Sequence, residues 1–347
     1  KVWQAALLSK VTRRGTGPLP TSLPGPQHRH QKYGKELDTE WPEWRKFSFM
    51  FGRKHLQHAK RIQSGICWAE VMRTPNPVVT TTREEAITVS KGLPMLGNER
   101  TVIFLSSDPE PQQLAVYIPG GLQLPWCLSK GYDIRGVVED AIETYIKQAP
   151  PPKPNKDKRH EVEQHEKHGG LWGVYHLGYW HAQGHSRGEP VLCRDMLRTA
   201  ATYSATVAFF RAMGPMVQTV GRLFQEVDPR AYEQYRRNYD LQSRASALGQ
   251  FKVSNRSCFH CLAVLVNAQV GPHKDSNDVK EGWVVMACFG EFEGGELCLP
   301  GLGYKVPFQP GDVVLFRSAV LEHWVAPFEG TRYSCVFFTK QSTWKPY

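Results

Sequence analysis

From Cys258 to its end the chain is a train of short apolar runs: FHCLAVLVNA, GWVVMACFG, GELCLP, DVVLFRS and TRYSCVFFT. Turn residues separate them, notably Gly294-Gly295 and Pro310-Gly311-Asp312. Runs this short and this closely spaced read as strands, and a series of them must close on itself or stack as two sheets to bury its apolar faces. A jelly-roll barrel is the expected outcome. Before it, Val191 to Phe251 carries a helical pattern in three segments, broken at Gly214-Pro215 and Asp228-Pro229. Such helices would pack on one sheet as a buttress. The fold class expected is α+β, with a jelly-roll core buttressed by helices.

The remaining half of the chain is less regular. Residues 1–60 hold twelve Lys/Arg against four Asp/Glu, so +8 of the net +10 lies there. This basic N-terminal arm, rich in Pro and Gly over 10–35, attracts polyanions, nucleic acid first and anionic membrane second, or is simply a solvated tail. Residues 61–148 read as a mixed α/β segment packed on the core. Its β-rich runs are Val78 to Thr82, Thr101 to Leu105 and Leu114 to Ile118, and its helix spans 134–148. Residues 149–170 (APPPKPNKDKRHEVEQHEKHGG) have almost nothing apolar and read as a charged, Pro-rich flexible loop. The core is then 171–347, with a helical buttress at 191–250 and strands at 255–340.

Of 347 residues, 41% are hydrophobic and 22% charged, which suits a globular protein and excludes wholesale disorder. No stretch approaches the roughly 18–20 apolar residues of a membrane span. Eight cysteines fall without a regular framework, several inside strand-like runs, and read as buried free thiols of a reducing, intracellular compartment. Cys258-x-x-Cys261 has no second pair at zinc-site spacing. No secretory signal is visible, and a start at Lys1 rather than Met points to an upstream segment outside this sequence.

The chemistry concentrates in the last third. His273 and Asp275 are two apart, so on a strand both point to one face. His323 follows 48 residues after Asp275, just beyond the strand DVVLFRS. Two imidazoles and one carboxylate on a rigid barrel make a facial triad for non-haem Fe(II), leaving three coordination positions open for a bidentate co-substrate and dioxygen. Arg332, nine residues beyond His323, shares a strand face with Ser334. Guanidinium and hydroxyl together form a receptor for the far carboxylate of 2-oxoglutarate.

The stretch GPHKDSNDVKEGWVVMACFGEFEGGELCLPGLGYKVPFQPGDVVLFRSAVLEHWVAPFEGTRYSCVFF resembles the catalytic core of the Fe(II)/2-oxoglutarate dioxygenases. It is most similar to their TET/JBP-like branch, in its fungal and algal form. The motifs that carry this are H-x-D, F-x-GGEL-x-LP, F-x-PGDVVLF-x-S, the late His and G-x-RYS. The resemblance implies a distorted double-stranded β-helix (cupin-like), with His273, Asp275 and His323 as iron ligands and catalytic centre. Arg332 and Ser334 would hold 2-oxoglutarate, with O2 as the other co-substrate. It implies oxidation of a nucleobase methyl group in DNA, foremost 5-methylcytosine to 5-hydroxymethylcytosine and further oxidised forms. N6-methyladenine demethylation, or hydroxylation of a protein side chain or small molecule, are the alternatives.

A base within a duplex must flip out to reach such a site. The expected partner is double-stranded DNA, not a membrane, and the expected state is a monomer, nuclear or otherwise intracellular. Arg13, Arg14, Arg45, Lys46, Arg53 and Lys54 are the backbone-phosphate candidates, interleaved with Trp41, Trp44 and Phe47, which either stack on bases or anchor the arm. Glycines in GYWHAQGHSRG allow close approach, so Tyr179, Trp180, His181 and His185 are candidate base contacts in what is otherwise a structural loop. Asn267 either faces the pocket or makes a core hydrogen bond. Asp278 either contacts substrate or caps the following turn.

Overall fold

The short apolar runs do become strands. In the structure, a computed structural model, residues 53, 56–74, 78–123, 133–152, 171–181, 190–245 and 257–344 are described. The twelve strands among the described residues fall into two sheets. The large one has the order β1-β2-β3-β10-β7-β12-β6-β4-β5 and the small one β11-β8-β9. The large sheet's strands are β1 (Lys60–Gln63), β2 (Val102–Leu105), β3 (Gln113–Ile118), β4 (Gly173–Trp180), β5 (Val191–Leu192), β6 (Cys261–Val266), β7 (Val284–Gly294), β10 (Val313–Phe316) and β12 (Phe328–Phe338). The small sheet's are β8 (Leu297–Leu299), β9 (Tyr304–Val306) and β11 (Trp324–Val325). All pairs are antiparallel except β1 with β2. Two sheets face each other across a core, the arrangement of a double-stranded β-helix.

Two helices flank the early strands, α1 (Trp68–Arg73) and α2 (Arg83–Gly92), the second opened by a reciprocal Thr82–Glu85 capping box. Helix α2 covers the small sheet, with Ala86 packed among Cys298, Trp324 and Ala326. The expected helix over 134–148 forms as α3 (Ile134–Gln148), burying Ile134, Val137, Val138, Ala141, Ile142, Tyr145 and Ile146. The Gly-Pro and Asp-Pro breaks separate α4 (Ala200–Ala212), α5 (Gly214–Val227) and α6 (Pro229–Ala245). Residues 191–198 are not helical throughout. They hold β5 and a 3-10 turn, Arg194–Leu197.

These helices cover one face of the large sheet. Tyr145 of α3 lies 4.8 Å from Tyr175 and 4.9 Å from Phe209, and Phe224 of α5 lies 5.3 Å from Phe259. Period-two alternation then decides the other face. Residues directly opposite in antiparallel strands share a face. The register therefore groups His176, Ala263, Val336, Met286 and Val314 on the inner face. Tyr175, Tyr333, Cys335 and Phe337 lie on the helix side.

Val78 to Thr82 does not form a strand. It is extended, but its polar groups bond to side chains near the sheet opening instead of to a ladder. Residues 60–118 also do more than pack on the core, since β3 pairs with β10 in register Val313↔Ile118 to Phe316↔Ala115 and extends the same sheet. The seven cysteines among the described residues are free, six of them buried.

Candidate active site

After β6 the chain turns sharply at Asn267, whose φ of 46° lies in the left-handed region that Asn tolerates. It runs back along the barrel mouth so that His273 forms an isolated antiparallel bridge with His323. The two backbones exchange hydrogen bonds, His273 N donating to His323 O at 3.1 Å and His323 N to His273 O at 3.0 Å. This sets the two imidazoles 4.1 Å apart. Asp275, anchored by its own N–H to Ser318 O at 3.0 Å, points its carboxylate between them. Its oxygens lie 3.9 Å from His273 Nε2 and 3.7 Å from His323 Nε2.

Among the described residues this is the only group of three or more such side chains whose ligand atoms converge, all within 4.8 Å of one another. Each imidazole has its Nδ1 2.9 Å from a carbonyl two residues back, Gly271 O for His273 and Leu321 O for His323. A carbonyl can only accept, so Nδ1 carries the proton and Nε2 keeps the lone pair. Two neutral imidazoles and a carboxylate, with tautomers fixed by backbone, could hold a divalent metal in the facial arrangement suited to Fe(II). The donor set fits the ion.

Phe316 on β10 meets the His323 ring edge-on at 4.8 Å. Phe316 is opposite Val284, so it lies on the inner face that also carries Arg332, opposite Gly290, and Ser334, opposite Cys288. Arg332 is buried, 2% exposed, within a ring of Phe292, Phe308 and Phe328 at 5.3, 5.5 and 5.7 Å from its guanidinium carbon. It donates from Nη1 to Ser334 Oγ at 2.8 Å and from Nη2 to Gly295 O at 3.4 Å, while Nε has no partner. Among the described residues no carboxylate pairs with it. A buried cation with an unused donor is costly unless an anion arrives. The arrangement fits one carboxylate of a small dicarboxylic acid. Glycine is required at 295, where φ is 71° and a Cβ would come within 3.0 Å of Arg332 Nε.

The inner face of β12 continues past Ser334 to Val336 and Phe338, and Lys340 follows just beyond the strand. Lys340 Nζ lies 4.9 Å from the Phe338 ring and donates to Asp278 Oδ1 at 2.7 Å. Burial works to lower the Lys340 pKa, but the Asp278 charge outweighs it and holds the ammonium above its ordinary value. On β4 the inner face presents Trp180, 6.5 Å from Phe338, and His176, 5.6 Å from Trp180. Asp195 fixes His176, accepting its backbone N–H at 2.8 Å and lying 3.5 Å from Nδ1.

Of the residues singled out in the sequence, His273, Asp275 and His323 converge, and Arg332 with Ser334 sits on the same inner face. Trp180 and Asp278 lie on the side away from Arg332. Tyr179, His181 and Asn267 need correction. Tyr179 is turned toward the helices, 5.2 Å from His260 and 6.4 Å from Tyr239, because it is odd-numbered on a strand whose even positions face inward. His181 is buried beyond the same strand end, where it disfavours the charged form of His260. Asn267 spends both amide atoms on backbone, accepting from Arg332 N at 2.8 Å and donating to Leu171 O at 2.9 Å. It positions Arg332 instead of meeting substrate. Arg53 is exposed; Arg13, Arg14, Arg45, Lys46, Lys54 and His185 lie outside the described residues. His176 and Lys340 were missed, although alternation along GVYHLGYW and TRYSCVFFTK puts each on the face of a residue already chosen.

Residues 179–341 match the family model described as the oxygenase domain of the 2OGFeDO superfamily, Tet_JBP. The thymine dioxygenase JBP1 of Crithidia fasciculata is 26% identical over 167 residues, 46% of this chain and 19% of that protein. The thymine dioxygenase JBP1 of Leishmania infantum matches with the same figures. The chain thus spans about a fifth of the length of the curated relatives it matches. Among solved structures, NgTET1 in complex with 5mC DNA is 15% identical, with a TM-score of 0.49 covering 87% of this chain and 92% of that one.

Proposed function

We propose that residues 179–341, which match the family model of the 2OGFeDO oxygenase domain, act as an oxygenase domain of the TET/JBP branch, and that this protein oxidises a methyl group on a nucleobase in DNA, 5-methylcytosine first. The observation that carries the reading is the shared inner face of the His273–Asp275–His323 cluster and the aromatic-ringed Arg332. Fe(II) bound there, with 2-oxoglutarate and O2, supplies conversion of a methyl C–H to C–OH while the co-substrate becomes succinate and CO2.

The chain's own groups position and shield. His273, Asp275 and His323 would hold the metal, their ligand atoms converging within 4.8 Å of one another. Arg332 grips the far carboxylate with its planar fork, Ser334 holds the fork in place, and the three phenylalanines exclude water, strengthening that contact. Beyond the metal, Trp180 and Phe338 offer aromatic surface for a flipped base. Asp278 and Lys340 set an acceptor beside a donor, which suits the edge of a heterocycle. In 5-methylcytosine the group beside the methyl is an amino donor, which a carboxylate accepts well; in thymine it is a carbonyl, which a carboxylate repels. Asp278, whose N–H is bound to Asp275 O at 2.8 Å, is the acceptor tied directly to the ligand loop. Thymine is the second reading, favoured by the thymine dioxygenases to which the chain is similar.

The test is incubation with Fe(II), 2-oxoglutarate and duplexes carrying 5-methylcytosine, thymine or N6-methyladenine, followed by nucleoside mass spectrometry. An oxygen gained on 5-methylcytosine, and lost in His273→Ala and Asp275→Ala, is expected. No oxidised base across the panel would leave a protein side chain or small molecule as the target.

A further inference from the structure

The residues that flank the metal triad are tied down by a segment well outside the oxygenase domain. Glu322 immediately precedes His323 and is buried, 7% exposed. Its carboxylate accepts from Thr80 N at 2.7 Å, Thr80 Oγ1 at 3.1 Å and Thr81 N at 3.0 Å. Lys274, between His273 and Asp275, donates from Nζ to Val78 O at 2.7 Å. The same extended strap, residues 78–81, therefore holds both backbones that carry the three ligands. Lys280 adds a third tie, donating to Met72 O at 2.8 Å and Thr74 O at 2.6 Å at the end of α1.

Packing alone does not hold this peptide. A cavity of about 380 Å³ lies against it, lined by Ile66, Trp68, Leu114, Val320, Leu321 and the strap itself. A segment that lines a pocket has fewer close contacts on that side than a core residue has. The charged hydrogen bonds to Glu322, stronger than neutral ones, add to the backbone pairing of His323 with His273 in fixing the position of Leu321–Glu322–His323. That position matters because Leu321 O is the acceptor that fixes the His323 tautomer and ring orientation.

We propose that Glu322 and Lys274 are positioning residues for the metal, latching the ligand-bearing backbone to the strap at Val78–Thr81. The inference rests on the triad being the metal site. Neither side chain touches the ion; each acts through the ligand beside it. The metal affinity of the domain is thereby set in part by residues that precede it by about a hundred positions.

The experiment titrates Mn(II) into the full chain without oxygen, in wild type, His273→Ala, Glu322→Ala, Glu322→Gln and Lys274→Met, and records the melting temperature of each metal-free protein. Glu322→Ala should raise the metal dissociation constant by about 10–100-fold, the usual effect of losing an outer-shell support. Glu322→Gln, which keeps one acceptor, should recover part of it, and Lys274→Met should weaken binding by a smaller factor. Saturating iron should restore turnover in all three. A merely structural role lowers the melting temperature and leaves the affinity of the folded protein unchanged; that result overturns the latch. If Glu322→Ala does not fold, Lys274→Met decides alone, and wild-type affinity there is equally fatal. Failure of the triad reading looks different: wild type binds no metal, or His273→Ala binds it as well as wild type.

Discussion

Arg332 meets an unusual set of demands for a single side chain. It is buried, surrounded by aromatic rings and short of a partner at Nε, so its energetics depend on an anion. Replacing it with lysine keeps the charge but turns a planar fork into a point donor. Arg332→Lys should raise KM for 2-oxoglutarate by about 10–100-fold, from charged hydrogen bonds worth roughly 1.5–3 kcal/mol, with a smaller change in kcat. Steady-state kinetics at varied 2-oxoglutarate checks this; an unchanged KM would remove Arg332 from the co-substrate site. On the substrate side, Lys340→Met should cut kcat/KM for methylated duplex by about tenfold while leaving the 2-oxoglutarate KM alone. Equal loss in both would mean that Lys340 supports the barrel rather than the base. R-x-S was legible because it needs only period two within β12; H-x-D was legible by its spacing, although His273 sits at an isolated bridge and Asp275 outside any strand. Lys340 was not, since its role depends on Asp278, 62 residues away in the chain. Tyr179 and His181 carry attractive chemistry, but alternation along β4 turns Tyr179 toward the helices and His181 lies buried past the strand end.

The element that organises the site is β12. Its inner face carries Arg332, Ser334, Val336 and Phe338, and its outer face reaches the helices through Phe259, which lies 6.1 Å from Phe337 and 5.3 Å from Phe224 of α5. The helical breaks at Gly214-Pro215 and Asp228-Pro229 and the 134–148 helix were readable because proline and 3.6-residue periodicity act locally. The strap at Val78–Thr82 was not. Its β-branched composition suits a strand, but its hydrogen-bond partners, Glu322 and Lys274, are set only by the tertiary fold. Between sheet and helices, burial pushes the His260 pKa down to about 3, with His181 adding to it. Above about pH 6.5, its ordinary value, folded and unfolded chains are both neutral there and His260 leaves stability unchanged. As pH falls toward 3, the unfolded chain binds a proton that the folded one refuses, and stability drops by up to about 1.4 kcal/mol per pH unit. Urea denaturation between pH 7 and 4 should show this slope, and His260→Leu should flatten it. The same slope in both proteins would assign the acid sensitivity elsewhere.

At the scale of the whole molecule, the segment that matches the oxygenase family does not stand alone. Strand β10, which carries Phe316 beside His323, lies between β7 and β3, and β3 belongs to residues upstream of 179. A fragment of residues 171–347 would expose the edge of β10 along Val313–Phe316 and lose the strap. Such an edge invites aggregation. The fragment should be insoluble, or fail to melt cooperatively; a soluble, cooperative fragment would show β1–β3 to be dispensable. This dependence was invisible in the sequence, where 61–148 read as a packed-on segment and nothing signalled that β3 continues the same sheet. The barrel itself was plain from strand spacing.

The proposed chemistry needs three side chains to hold one iron that oxidises a nucleobase methyl group at the expense of 2-oxoglutarate. The most direct measurement supplies ¹⁸O₂ to the iron-loaded protein with a 5-methylcytosine duplex and counts succinate against modified nucleoside. Early in the reaction the account predicts one succinate per hydroxymethylated base, the label appearing in both products, and neither product in His323→Ala. Succinate formed without any labelled base, or a modified base formed without succinate, would contradict it.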